Sequence, residues 1–447
     1  MMGHEIGPKP HDQPQWGAGG GTLRTMDRSP PLASTPPMGW NSWDCFGTSV
    51  TEDEVRGNAL VMADRLADVG WEYVVVDIQW YEPSARAGGY RPHADLVLDE
   101  VGRPLPAPNR FPSAAGGLGF RPLADYVHSL GLKFGVHVLR GIPRPAVEAR
   151  VPVLGTEVTA AEVADRRATS TWITDNFGLD HRHPGAQAYY DSLLALFAEW
   201  GVDYVKADDM IAPYWAADVE AFALAIERCG RPMVLSLSPG TDLPVGRAEH
   251  LAKHAQLWRI SGDLWDRWED VAAQFDRLAA WAPYAGPEAW PDADMLPLGR
   301  IGIRAEVGEA RETRLTVPEQ VTMLSLWSIA RSPLMLGCDL TSTDPSTLTL
   351  LTNPEVVTVL REGSGAREVY RAGSTIAWTA TAPRGHYLAV FHTGPAAAEV
   401  CIPWAELGIS RPARLRDLWQ RRDLPVADPL RLTLDRHGAA LLRCEPS

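Results

Sequence analysis

No two of the five cysteines, Cys45, Cys229, Cys338, Cys401 and Cys444, stand in a CxxC or other zinc-like spacing. Their scatter and odd number speak against a disulfide framework and against a structural metal. Basic residues are short as well: 42 Lys and Arg face 56 Asp and Glu, a formal charge of −14. Nucleic acids and anionic membranes bind through a basic footprint, so neither is expected as a partner. No stretch approaches the roughly 20 uncharged apolar residues that a spanning helix needs. Residues 1–30 are polar and rich in Gly and Pro, with no apolar run of signal-peptide length. They are expected to form a disordered leader, with Met26 a candidate start, and a reducing cytoplasm is the expected location. What remains open is a small-molecule or oligosaccharide substrate; a homo-oligomer is compatible with all of this.

Tryptophan, by contrast, is plentiful, at 17 against 11 Tyr and 9 Phe. Indoles fill cores, and they are also good platforms for sugar faces. The chain alternates short apolar runs with helical patterns. Thr51 and Glu54 form a capping box before a run with Val55, Ala59, Met62, Leu66 and Val69 on one face. Nearly all-apolar segments follow, of the kind buried on both faces in parallel sheets: Tyr73–Val76, Lys133–His137, Tyr204–Asp208, Met233–Ser236, Leu257–Ile260 and Leu334–Gly337. Counting Met38–Trp40 and the segment around Trp290–Met295, eight βα units span roughly 330 residues, which predicts a (β/α)8 TIM barrel. A doubly wound sheet fits less well, because no Gly-rich phosphate loop follows any strand. An insertion over residues 143–182 is expected to pack over the barrel mouth. After Gly363 the sequence turns to short β runs, predicting a smaller C-terminal antiparallel β-sandwich. The expected domains are thus 31–362, catalytic, and 363–447.

In such a barrel the chemistry lies at the C-terminal strand ends. The ends here carry Trp40, Trp43 and Asp44; Asp77 and Trp80; His137 and Arg140; Lys206, Asp208 and Asp209; Ser236 and Ser238; Arg259 and Asp263; Asp292 and Asp294. Lys206 and Asp208, two residues apart on a strand, point the same way, and burying either alone would be costly. The pair reads equally as a structural ion pair until the other ends are counted; their convergence favours a catalytic face. Glycoside hydrolysis would use two carboxylates, hydroxyl-binding charges and aromatic platforms. Schiff-base chemistry at Lys206 is disfavoured, since Asp208 stabilises the non-nucleophilic ammonium. A metal hydrolase built on Asp77, His137 and Asp208 lacks an HxH or HExxH pair. No metal and no cofactor is expected.

The motifs Met38-Gly39-Trp40-Asn41-Ser42-Trp43, the strand ending in Asp77 and Trp80, Tyr204–Asp208, Trp258–Asp263, Trp290–Leu296 and Ala330–Leu334 come in register over residues 36–345. In that order the chain resembles glycoside hydrolase family 27, the α-galactosidase/α-N-acetylgalactosaminidase (melibiase) family. The resemblance implies a retaining exo-glycosidase, with Asp208 as nucleophile, Asp263 as acid/base and Trp40, Asp77, Trp80, Lys206 and Arg259 around the sugar. Retention requires the two carboxyls about 5–5.5 Å apart. It also implies a terminal α-D-galactosyl glycone. A sugar-binding protein without catalysis would not need an acid on the leaving-group side. Two departures bear on specificity. The family's second strand-two Asp is here Ile78, and a Glu after strand five gives way to Ser236-Leu237-Ser238-Pro239, where Ser238 leaves room for a C2 substituent. β-L-Arabinopyranoside, α-N-acetylgalactosaminide and isomaltose-type glycones therefore stay open.

Overall fold

Strands that are apolar on both faces must be covered by helices outside and filled by their own side chains inside. The computed structural model describes residues 31–241 and 243–446; the leader expected at 1–30 lies outside the described residues. Eight parallel strands carry the fold: β1 Met38–Asn41, β2 Tyr73–Val76, β3 Lys133–Leu139, β4 Tyr204–Asp208, β5 Val234–Leu237, β6 Leu257–Arg259, β7 Trp290–Asp292 and β8 Leu334–Leu336. They lie in the order β7-β6-β5-β4-β3-β2-β1-β8. Just past β7, Leu296 N donates to Met335 O at 2.7 Å and Gly337 N donates to Leu296 O at 3.1 Å. Those bonds join the two ends of the sheet into a ring.

The returning helices are α1 Glu52–Arg65, α2 Arg121–Ser129, α3 Pro184–Trp200, α4 Ala216–Cys229, α5 Ala248–His254, α6 Trp268–Trp281 and α7 Val317–Ala330. Their boundaries follow local chemistry. α1 and α7 begin at capping boxes, Thr51 with Glu54 and Thr316 with Glu319. α3 stops at Gly201, whose φ of +85° is the left-handed turn that glycine adopts without a Cβ penalty. Among the described residues no helix is long and apolar enough to cross a membrane.

Strand parity places the site. Val74, Val76, Val205, Leu235 and Trp258 join the core shared with the helices. Their neighbours Tyr73, Val75, Tyr204, Val234, Leu257, Trp290 and Met335 form a separate cluster inside the barrel. Two residues further along each strand from these interior positions stand Asp77, Lys206, Ser236, Arg259 and Asp292. Side chains alternate with period two, so these polar groups must emerge in the barrel mouth. The parallel pairing aligns them: His137 lies opposite Lys206, Lys206 opposite Ser236, and Asp292 opposite Arg259.

The segment 143–182 folds as two short helices, Arg144–Glu148 and Ala160–Val163, beside three short antiparallel strands. It does reach the mouth: Arg140 Nη2 donates to Ala168 O at 3.3 Å. Beyond β8, two helices lead to an antiparallel β-sandwich that opens with Ser364–Ala372. Its six-stranded sheet packs Ala377, Leu388, Val390 and Leu442 against a two-stranded sheet, Ala398–Ile402 with Leu430–Leu434. The opposite face, with Ile376, Trp378, Ala389, Phe391 and Leu441, joins the barrel core. Phe391 meets Phe275 of α6 edge to face, ring centres 5.0 Å apart.

Candidate active site

Asp77 is 2% exposed and fully engaged. Asn41 Nδ2 and Lys206 Nζ each donate to its Oδ2 at 2.7 Å, and Ile78 N donates to Oδ1 at 2.8 Å. Burial would raise its pKa, but the charges of Lys206 and His137 hold it below the ordinary carboxylate value. Lys206 is in turn held as an ammonium: burial pulls its pKa down, and Asp77 and Asp208 push it above the usual lysine value. The direct partner of Lys206 is thus Asp77, two strands away, rather than its neighbour Asp208. Lys206 acts on Asp208 through its charge.

Asp208 ends β4. The buried His137 imidazole reaches its Oδ2 from Nε2 at 3.0 Å, and Asp209 N donates to Oδ1 at 2.7 Å. An ionised carboxylate can only accept, so Nε2 carries the proton. Against the opposing effect of burial, the His137 hydrogen bond and charge, with Lys206, hold Asp208 far below the usual range. It is a half-buried carboxylate kept ionised. Asp209 turns away with φ of +60°. Arg140 holds it through Nη2 and Nε at 2.8 and 3.2 Å, and Trp172 Nε1 donates to its other oxygen at 3.3 Å.

The second acidic group differs in every respect. The Asp263 side chain is 47% exposed and meets Arg259 Nη2 at 3.2 Å. Arg259 Nη1 contacts buried Asp294 at 2.7 Å, and Leu264 N donates to Asp294 Oδ2 at 2.6 Å. Burial pushes Asp294 up to about 7; Arg259 opposes this while Asp263 and Asp292 add to it. Asp292, opposite Arg259 on β7, is likewise raised, by burial.

Aromatic rings wall the mouth. Trp43 stacks on Tyr90 at 5.4 Å and 17°, and Tyr90 meets Trp172 at 5.1 Å. Burial raises the Tyr90 phenol pKa, and the charges of Asp208, Glu306, Asp263 and Asp77 raise it further. Ile78, 1% exposed, shares an apolar cluster with Trp43, Leu139, Ile173 and Met295, which Tyr90 and Trp172 flank.

Asp77, Lys206, Asp208, Arg259 and Asp263 therefore come together, and Ser238 sits buried after β5 with its Oγ unpartnered. Two expected sugar contacts do not. Trp40 pairs in register with Val74, on the helix-facing parity, and its Nε1 donates to Cys338 O at 2.6 Å. Trp80 is fully buried among Tyr81, Phe120, Phe197 and Trp200, with Nε1 donating to His137 O at 2.8 Å. Both are core residues. Trp43, His137, Asp294 and Tyr90 occupy the mouth without having been assigned a sugar contact; parity on β1 would have excluded Trp40, whereas nothing local marks Tyr90. Among the described residues no group of three or more His, Cys, Asp or Glu is placed to hold a metal ion.

Comparison with known proteins agrees with this geometry. The family described as alpha galactosidase A matches residues 35–144 and 173–362, leaving out most of the insertion. The alpha galactosidase C-terminal beta sandwich domain matches residues 372–444. A glycoside hydrolase family 27 β-L-arabinopyranosidase from Geobacillus stearothermophilus is 50% identical, with a TM-score of 0.91 over 93% of this chain and 97% of that one. The α-galactosidase of Cyamopsis tetragonoloba is 28% identical over 93% of this chain and 87% of its own length. The α-N-acetylgalactosaminidase of Rattus norvegicus is also 28% identical, over 77% and 73%. A TIM barrel with polar strand ends, its sandwich partner and both family matches lead to one conclusion: the chain belongs to glycoside hydrolase family 27.

Proposed function

We propose that this hydrolase is a retaining exo-glycosidase acting on oligosaccharides or small glycosides, with Asp208 as nucleophile, Asp263 as acid/base and a β-L-arabinopyranosyl residue as preferred glycone. In the first step an Asp208 oxygen attacks the anomeric carbon as the bond to the aglycone oxygen breaks. Asp263 gives its proton to that oxygen. Water then attacks the same carbon, Asp263 takes the water's proton, and Asp208 leaves as carboxylate. The environments suit this division of labour. His137 and Lys206 keep Asp208 ionised for attack, whereas Asp263 is open to the side from which a leaving group departs and water enters.

The observation that carries the glycone is Ile78. Galactose and β-L-arabinopyranose share ring stereochemistry and differ in the C6 hydroxymethyl. Asp77 is already committed to Lys206, Asn41 and its own loop, and the next position presents a buried sec-butyl group among Trp43, Leu139 and Ile173. A wall without an acceptor leaves a C6 hydroxyl unpaired, a penalty of about 1–3 kcal/mol. The activity of the Geobacillus relative supports the same choice.

The test is kcat/KM on p-nitrophenyl β-L-arabinopyranoside, α-D-galactoside, α-N-acetylgalactosaminide and α-D-glucoside. The arabinopyranoside should lead the galactoside by roughly tenfold or more, about 1.4 kcal/mol in transition-state binding. Ile78→Asp should narrow or invert that ratio. A wild-type preference for galactoside would return the glycone to α-galactosyl; an inverted first-formed sugar would overturn the retaining mechanism.

A further inference from the structure

Most carboxylates of the mouth are held by a charged group or an N–H. Asp77 holds Lys206, Asp208 takes His137 and Asp209 N, and Asp294 takes Arg259 and Leu264 N. Asp44, on the short helix that follows β1, is an exception. It is 3% exposed and its Oδ2 is buried without a hydrogen-bond partner. A buried polar oxygen left unsatisfied costs on the order of 1–3 kcal/mol, and native structures contain few of them.

The fold makes room for this residue. Gly337 follows β8, and a methyl group there would fall 2.0 Å from Asp44 Oδ2 and 2.4 Å from its carboxyl carbon. Gly337 does not have a positive φ, so its backbone has no need of glycine; what needs it is the Asp44 carboxyl. The main chain is pinned as well, since Gly302 N donates to Asp44 O at 2.8 Å. Burial raises the Asp44 pKa well above the ordinary value, Asp294 and Asp263 raise it further, Lys206 opposes them and Asp77 adds to the rise. Gly337 lies two residues beyond Met335 of the barrel interior, so the carboxyl that fills the space of its missing side chain stands at the mouth. A carboxyl offers a sugar hydroxyl an acceptor, and a donor as well when it carries a proton.

We propose that Asp44 is a sugar-hydroxyl-binding residue of the glycone pocket, supplying from the β1 side a carboxyl in place of the one lost at Ile78. Its unpartnered Oδ2 is then satisfied by substrate, which converts an unfavourable group in the free enzyme into binding. This rests on the glycosidase reading above, and the test is independent of which glycone is preferred.

Dissociation constants are measured for L-arabinose and its 2-, 3- and 4-deoxy analogues, or for the D-galactose series if wild type binds that more tightly. Wild type, Asp44→Ala and Gly337→Ala are compared, the last keeping the carboxyl but displacing it. In wild type, removing the hydroxyl that Asp44 binds should weaken binding about tenfold or more, and in both variants that penalty should shrink to about twofold. The other two deoxy penalties should stay unchanged. Asp44→Asn, which keeps a donor and the shape, should retain the penalty. Identical penalties in wild type and either folded variant would overturn the proposal. So would failure of both variants to fold, because Asp44 would then be structural. A wild type that binds neither sugar series would instead count against the glycosidase reading.

Discussion

Replacing Lys206 with methionine keeps the stem and removes the charge that Asp77 faces. Asp77 would remain 2% exposed with Asn41 Nδ2 and Ile78 N as its donors and no cation in contact. Breaking a buried pair by removing one partner costs about 3–5 kcal/mol, far above the 0–1 kcal/mol of an exposed pair. The loss has a ceiling, because Asp77 can take up a proton instead of staying charged. Without Lys206 its folded pKa rises above the unfolded value. A carboxyl so raised keeps its stability below the unfolded pKa and loses it as pH climbs through the folded one. The deficit of Lys206→Met should therefore be near its full value at about pH 8 and shrink to roughly 1–2 kcal/mol at about pH 5. Asp77→Asn in the same chain removes the orphaned charge, so the double variant should recover to within about 2 kcal/mol of wild type at either pH. Paired denaturant and thermal melts at the two pH values read this out. A single-variant deficit below about 1 kcal/mol at the higher pH, or one that grows toward acid, would show that the pair is not the buried contact seen here.

Asp208→Ala, removing the proposed nucleophile, should abolish turnover, and azide should restore it as a glycosyl azide of inverted configuration. Asp263→Ala should slow substrates with poor leaving groups far more than activated aryl glycosides, since only the former need proton donation; equal losses on both would remove Asp263 from the acid role. Asp294, raised to about 7 chiefly by burial, contributes stability that is complete below the ordinary carboxylate pKa and is lost as pH rises through about 7. The Tm of Asp294→Asn relative to wild type should accordingly improve on going from about pH 5 to about pH 8; a steady or widening deficit would refute that assignment.

The barrel was legible because parallel strands announce themselves twice, as short apolar runs and as polar residues two positions further on. The sandwich was less so. Ala439–Glu445, unmarked in the sequence, reads Ala-Ala-Leu-Leu-Arg-Cys-Glu, good helix formers, yet it pairs between His386–His392 and Arg414–Asp417. Its alternate residues Leu441 and Leu442 serve the barrel face and the sandwich core respectively, and tertiary context overrides propensity there. Asp270 of α6 accepts from Trp265 N and Arg267, closing the turn before the helix begins at Trp268. In the site, strand-end carboxylates could be located one strand at a time. Their pairing could not. Lys206 reaches Asp77 past the intervening β3, a contact that exists only once the three strands have paired, and Tyr90 arrives on a long excursion after β2 whose local sequence says nothing of Trp43.

The exchange of Trp40 for Trp43 shows how far a period-two argument can be pushed. Asn41 lies one residue past Trp40 and donates to Asp77, so Asn41 faces the interior and Trp40 cannot. Trp40 instead meets Phe46 edge to face at 6.5 Å and bonds to Cys338 O, while Trp43, two residues beyond Asn41, stacks on Tyr90 at the mouth. The two indoles should therefore fail differently. Trp40→Phe leaves a buried carbonyl unpaired and should cost about 1–3 kcal/mol of stability, with kcat/KM of the folded protein within about threefold of wild type. Trp43→Ala removes a platform whose stacking is worth about 0.5–1.5 kcal/mol beyond its area, and should lower kcat/KM roughly tenfold or more with a smaller change in Tm. Thermal melts beside kinetics on the best p-nitrophenyl glycoside separate the two. If the activity loss followed Trp40 and the stability loss Trp43, the parity assignment of β1 would be wrong, and with it the placement of Asn41 and Asp44 at the mouth.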